Sequence, residues 1–274
     1  MQEALEQLLA AHRHGGPLVL LFDYDGTLAA IAERPELAVL PPSTRQALVR
    51  LMHLAKVEVG VLSARRLDDL RAVLALPGLY LAGSSGMELD LRGTRVEHPR
   101  ASQAAEMIDR LAKRLGDAMA AYRGAWLERK RLALTIHYRQ VADDLLESLE
   151  IHVAQATKDF ASDVRTVQAP KAWEIAPRWG WTKGDAVRLM VADVGVPDGV
   201  ILYAGDAAND AEAIDATMAL GGIALGIGPH APAAARYRLP KPVALGRFLG
   251  SLATALEESV YAADSSENAI SEIL

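Results

Sequence analysis

The chain has 274 residues, 51% of them hydrophobic, with 29 Lys+Arg against 35 Asp+Glu and a formal net charge of −6. An acidic balance without a basic stripe argues against nucleic acid as a partner, and no apolar run approaches the roughly 18 residues that would suggest a membrane span. The absence of cysteine excludes disulfides, thiolate metal sites and a cysteine nucleophile, and suits a cytoplasmic setting.

Residues 1–16 read as a polar amphipathic helix rather than a signal peptide. Residues 18–22, Leu-Val-Leu-Leu-Phe, are a short unbroken apolar run, the pattern of a strand buried on both faces of a parallel sheet. The run leads into Asp23-Tyr24-Asp25-Gly26-Thr27-Leu28, so two carboxylates fall where the strand gives way to an Asp-Gly turn. Open α/β folds bind ligands at that carboxyl edge. Two acids about 4 Å apart repel by roughly 4 kcal/mol at an effective dielectric of about 20. The pair therefore calls for a bound cation, a shifted pKa, or both. Its plainer reading is as a cap of the turn or of the next helix.

A helix is expected over 43–55 with Ser43 as its N-cap, followed by a strand over 57–62, a helix over 67–74 and a strand over 79–82. Toward the other end come a helix over 183–194, a strand over 200–204, a helix over 211–218, a strand over 222–227 and a last helix over 242–258. This alternation predicts an α/β fold, a doubly wound parallel (Rossmann-like) sheet with right-handed crossovers. The middle differs: 102–122 and 142–160 have helical periodicity, whereas 126–138 and 164–175 alternate like antiparallel strands with one solvated face. An α+β cap inserted into the core is the arrangement this predicts. The boundaries fall near Glu88 and Pro177, giving a core of 1–88 and 178–260, a cap of 89–177, and a polar, acidic, flexible tail over 261–274.

Three further groups could complete a site at the strand ends. Ser63-Ala64-Arg65 follows the second strand, where a hydroxyl can donate to an oxyanion and an arginine can fork onto one; Ser63 also suits a helix N-cap. Thr182-Lys183-Gly184 opens a helix, an end that favours anions. A lysine there opposes the helix dipole, which suggests a specific charge partner, a phosphate or Asp23, unless Lys183 is simply solvated. Gly205-Asp206-Ala207-Ala208-Asn209-Asp210 supplies a third strand-end acid, whose plainer reading is as a cap of the next helix. All-oxygen donors without thiolates point to Mg2+ rather than a soft metal. In the cap, Trp126, Glu128 and Lys130 share one strand face, His137 and Arg139 share a face with each other, and Lys171 to Glu174 forms a further polar cluster. Each of these could equally be a solvated sheet face, and Trp173, Trp179 and Trp181 read as core or hinge packing.

Taken in order, Asp23-Tyr24-Asp25-Gly26-Thr27-Leu28, Ser63, Lys183-Gly184 and Gly205-Asp206 with Asn209-Asp210 resemble the four motifs of the haloacid dehalogenase superfamily of phosphatases. The cap is more specifically similar to the trehalose-6-phosphate phosphatases, C2-capped sugar phosphatases. The carrying stretches are residues 83–88, Glu128-x-Lys130 leading to His137-Tyr138-Arg139, Glu174-Ile175-Ala176-Pro177 and residues 235–239. There are departures from the family pattern. Ala64 stands for a usual glycine, Ser84-Ser85 for Asn-His, and Ala207 and Ala211 for two acids, which opens the question of sugar specificity.

The resemblance implies an Mg2+-dependent phosphatase that hydrolyses trehalose 6-phosphate through an aspartyl-phosphate on Asp23, with Asp25 as general acid and then base. It implies metal binding by Asp23, the backbone of Asp25, and Asp206, with Asp210 close by, and phosphate binding by Thr27, Ser63 and Lys183. Glu128, Lys130 and Glu174 would bind sugar hydroxyls, with Arg65, His137 and Arg139 as further candidates. The partner expected is a small-molecule sugar phosphate, with no nucleic acid and no membrane, and with association to a trehalose-phosphate synthase as an open expectation. The alternatives are a phosphatase of sucrose phosphate or of a glycosyl-phosphoglycerate, and a non-catalytic sugar-phosphate sensor. Against the sensor, a binder has no need of the nucleophile that Asp23 supplies.

Overall fold

The computed structural model describes residues 1–169, 171–195 and 200–271, without the side chains of residues 117 and 261–271. In chain order the helices are α1 (Gln2–Arg13), α2 (Pro42–Met52), α3 (Leu67–Leu74), α4 (Ala101–Met119), α5 (Leu146–Thr157), α6 (Lys183–Val194), α7 (Ala211–Ala219) and α8 (Pro242–Ser271). The strands are β1 (Leu18–Asp23), β2 (Val57–Leu62), β3 (Tyr80–Gly83), β4 (Glu88–Leu91), β5 (Thr94–Glu97), β6 (Trp126–Arg129), β7 (Leu134–His137), β8 (Val164–Ala169), β9 (Ala172–Pro177), β10 (Val200–Gly205), β11 (Ile223–Ile227) and β12 (Tyr237–Leu239).

β1 is buried along its whole length because both of its faces are covered. Leu18, Leu20 and Phe22 pack with α1, α2, α3 and α8 on one side, and Val19 and Leu21 pack with α6 and α7 on the other. Each fully buried side chain of this kind contributes about 1.5–3 kcal/mol, which is why the strand carries no polar residue before Asp23. The larger sheet has the order β12-β11-β10-β1-β2-β3-β4-β5, parallel from β12 through β3. β1 lies between β10 and β2, where the strand order reverses, and the carboxyl ends of these three neighbours open into one crevice.

The sheet runs past the Glu88 boundary read from the sequence. β4 pairs antiparallel with β3, and β5 with β4, so residues 89–97 belong to the larger sheet rather than to the insert. The hairpin turns at Arg92 and Gly93, both at positive φ. Helix α2 begins at Pro42, with Pro41 at the cap position and Ser43 inside the first turn. Proline at the first helical position needs no N–H partner and already has a helical φ, so the serine cap is not required. α8 continues through Ser271, so residues 261–271, expected as a flexible tail, extend the helix; residues 272–274 of that tail lie outside the described residues.

The second sheet, β6-β7-β9-β8, is antiparallel and has two unlike faces. Leu134, Ile136, Val164 and Ile175 pack against α4 and α5. On α4 the buried Ala104, Ile108, Leu111 and Leu115 recur at helical spacing, so its polar residues are left to solvent. The opposite face of the sheet carries the polar side chains and covers the crevice. Among the described residues, no helix is long and apolar enough to cross a membrane.

Candidate active site

The floor of the crevice is a buried ion network. Lys183 Nζ donates to Asp23 Oδ1 at 2.6 Å and to Asp210 Oδ1 at 2.7 Å, and Lys183 is only 1% exposed. Thr182 caps α6 through a capping box with Asp185, which fixes the helix start and aims Lys183 inward. The unfavourable dipole position of Lys183 is thus offset by two carboxylates. Burial alone would lower its pKa, but Asp210 and Asp23 outweigh burial and raise it above the ordinary lysine value. Burial also pushes the Asp23 carboxyl well above the usual range, against Lys183 and with help from Asp210 and Asp206. Burial and Asp210 push the Asp206 carboxyl up to about 7, opposed by Lys183.

Asp210 is fully committed to the protein. Its Oδ1 accepts from Lys183 and from the Tyr203 hydroxyl at 2.6 Å, and its Oδ2 accepts from the backbone N–H of Asp206 at 3.0 Å and of Ala207 at 3.1 Å. Those donors occupy the about four acceptor positions of a carboxylate. Asp210 therefore braces the Gly205–Asp210 turn, close beside Asp23 and Asp206. Gly205 is required for this: a Cβ there would lie 2.4 Å from Asp210 Cγ.

Asp25 is paired with Arg65 rather than with Lys183. Arg65 Nε and Nη2 donate to its two carboxylate oxygens at 2.7 Å each, while Nη2 also reaches the Pro35 carbonyl. The guanidinium lies over the Tyr24 ring, 4.9 Å from its centroid. The arginine fork expected to grip an oxyanion or the sugar is thus engaged by Asp25, and the Asp25 side chain stands apart from the acidic cluster.

Asp23, Asp206 and Asp210 bring carboxylate oxygens within 4.8 Å of one another. Two observations test whether a hard divalent cation fits there. Asp23 Oδ2 is buried and lacks a hydrogen-bond partner. Gly26, at φ +93°, lets Asp206 come against the turn, since a Cβ there would meet Asp206 Oδ2 at 2.1 Å. An orphaned carboxylate oxygen beside a second acid, among all-oxygen donors, fits Mg2+. Asp23 and Asp206 would hold it, with Asp210 close by and engaged by protein donors.

Above the floor lies a cavity of about 670 Å3 whose walls include Asp23, Asp25, Ser63, Arg65, Asp206 and Asn209 from the core. Its roof carries Glu128, Lys130, His137, Arg139 and Glu174. Glu128 Oε2 is 2.8 Å from His137 Nε2, and Trp126 stacks flat on the His137 ring with centroids 3.9 Å apart. Burial would raise the Glu128 pKa, but His137, Lys130 and Arg65 together hold it below the usual value. Glu174 Oε1 accepts from the Ser85 hydroxyl, a bond that joins roof to core. Thr27 and Lys183 lie beneath the cavity lining; Thr27 Oγ1 is buried without a partner, and Ser63 Oγ accepts from the Arg65 backbone N–H. The sequence reading did not single out Thr135, Gln140 or the 31–36 loop, all of which line the cavity. The loop residues lack any spacing signal, and strand register alone reveals Thr135.

A doubly wound sheet with acids at adjacent strand ends, roofed by an inserted α+β sheet, defines the haloacid dehalogenase-like class. The trehalose-phosphatase family model matches residues 21–239. The chain is 37% identical over 265 residues to an uncharacterized glycosyl hydrolase of Mycobacterium tuberculosis, covering 93% of this chain and 19% of that protein. It is 30% identical over 258 residues to the trehalose-phosphate phosphatase of the same organism, covering 88% of this chain and 62% of that one. It thus spans about a fifth of the first relative and under two thirds of the second. The C-terminal domain of the C. albicans trehalose-6-phosphate phosphatase shares the fold with a TM-score of 0.80 at 22% identity, over 91% of this chain and 96% of that one. The chain belongs to the trehalose-phosphatase family.

Proposed function

We propose that the chain is a phosphomonoester hydrolase that releases phosphate from trehalose 6-phosphate. Family membership supports the substrate class, and one observation carries the chemistry: Asp23 lines the cavity, is held by Lys183 through Oδ1, and keeps Oδ2 without a partner. In the first step an Asp23 oxygen attacks phosphorus in line, the O–P bond to Asp23 forms, and the P–O bond to the sugar breaks. Asp25 gives its proton to the leaving sugar oxygen and in the second step takes one from the attacking water, which frees phosphate from Asp23. Both oxygens of Asp25 are engaged by Arg65, so this role requires Asp25 to turn out of that fork. Ser63 from the cavity wall, with Thr27 and Lys183 buried behind it, would hold phosphoryl oxygens as charge develops. Mg2+ held by Asp23 and Asp206 would supply the positive charge that lets an anionic carboxylate meet an anionic phosphate. On the roof, Glu128, Lys130 and Glu174 would take sugar hydroxyls, with His137 and Arg139 flanking them.

The test is phosphate release by purified protein from trehalose 6-phosphate, sucrose phosphate and a glycosyl-phosphoglycerate, each with Mg2+ and with EDTA. The expected result is preference for trehalose 6-phosphate and loss of turnover with EDTA. Preference for another sugar phosphate would replace the substrate, and absence of turnover on all three would favour a sensor.

A further inference from the structure

Thr135 occupies the centre of the roof. In the cap sheet it lies directly opposite Glu128 on β6 and directly opposite Glu174 on β9. Residues so paired present side chains on one face with Cβ atoms about 4.5–5.5 Å apart. All three line the cavity. Thr135 is 6% exposed, and its Oγ1 is buried without a hydrogen-bond partner.

A hydroxyl left in that condition costs about 1–3 kcal/mol, and a β-branched valine would fill the same strand position without the cost. Its neighbours are already occupied: Glu128 Oε2 with His137, and Glu174 Oε1 with Ser85. Each carboxylate keeps a second oxygen, so a group entering from the cavity that Thr135 lines lands between two carboxylates that can still accept. A run of sugar hydroxyls suits that row, one exchanging a bond with Thr135 and its neighbours donating to Glu128 and Glu174. We infer that Thr135 is a specificity-determining residue, whose hydroxyl reads a hydroxyl of the glycosyl part of the substrate and takes no part in phosphoryl transfer. This rests on reading the site as a sugar phosphatase.

The test compares wild type, Thr135→Val and Thr135→Ser on trehalose 6-phosphate and on p-nitrophenyl phosphate, which lacks sugar hydroxyls. Thr135→Val should raise KM for the sugar phosphate about 5- to 20-fold with kcat nearly unchanged, the loss expected for one unmade hydrogen bond. It should leave p-nitrophenyl phosphate kinetics as in wild type, and Thr135→Ser should restore the sugar-phosphate KM. A wild-type KM in Thr135→Val, or an equal loss on both substrates, would overturn the role of Thr135 while leaving the proposed activity intact. Failure of the wild type on every sugar phosphate would instead overturn the functional reading beneath it.

Discussion

At the floor of the cavity, Asp23 and Lys183 are almost wholly buried and their charges meet at 2.6 Å; at the roof, Glu128 and His137 keep about a quarter of their side-chain surface exposed. The floor residues come from a strand end of the larger sheet and the start of helix α6, whereas the roof residues sit on the open face of a second, smaller sheet. Buried charges need their partners, so a change at the floor is felt by fold and chemistry together. The Glu128–His137 contact is partly solvated and replaceable by water, so a change there should alter which ligand binds. On the proposed function the two regions would divide the work: the floor would handle phosphate whatever its alcohol, and the roof would read the alcohol.

Substitutions at the floor should break both properties. Lys183→Met leaves Asp23 and Asp210 buried without their cation and should cost about 3–5 kcal/mol of stability, read by denaturant unfolding. Wild-type stability in this variant would mean that the network is not the brace described. Gly26→Ala should remove most activity and weaken Mg2+ binding by calorimetry, because the added methyl overlaps Asp206 Oδ2 and φ +93° disfavours any side chain. A roof substitution should separate the two properties. Glu128→Gln should raise KM for trehalose 6-phosphate about 10-fold, in line with one lost charge-assisted bond, while p-nitrophenyl phosphate turnover stays as in wild type.

The smallest expected effect is a pH dependence of the floor. With its carboxyl pushed up to about 7 from the ordinary 3.8, Asp206 in the ion-free folded chain retains a proton that the unfolded chain has already released. Stability from this group is thus present at the acid end and declines as pH rises through that window. A divalent ion held by Asp206 would displace the proton and reverse the loss. The increase in Tm on adding Mg2+ should be larger at pH 8 than at pH 5, and Asp206→Asn should flatten the difference; an equal increase at both pH values would contradict the shift.

The floor was the legible part of the sequence. An apolar run ending in Asp23, and the strand-end positions of Ser63 and Asp206, follow from patterns that a buried parallel strand imposes. The charge conflict at Lys183 pointed to a partner before any coordinates. What stayed hidden depends on contacts distant in sequence. Nothing in the chain pairs Arg65 with Asp25, forty residues away, or shows that Asp210 is saturated by Tyr203, Lys183 and two backbone amides. The β4–β5 hairpin lies just past the change of pattern at Glu88, and its short strands, with Leu89, Leu91 and Val96 alternating about an Arg-Gly turn, carry too few residues to mark it as part of the core sheet. Thr135 is an ordinary strand residue until register sets it between Glu128 and Glu174.

Phosphate release from trehalose 6-phosphate by Asp23→Asn, beside wild type and with folding checked by circular dichroism, tests the assignment of Asp23 as nucleophile most directly. A folded variant with activity on the order of 10⁴-fold below wild type or lower is the predicted result, the scale on which enzymes lose a nucleophile. A folded variant that turns over within about 10-fold of wild type would contradict it.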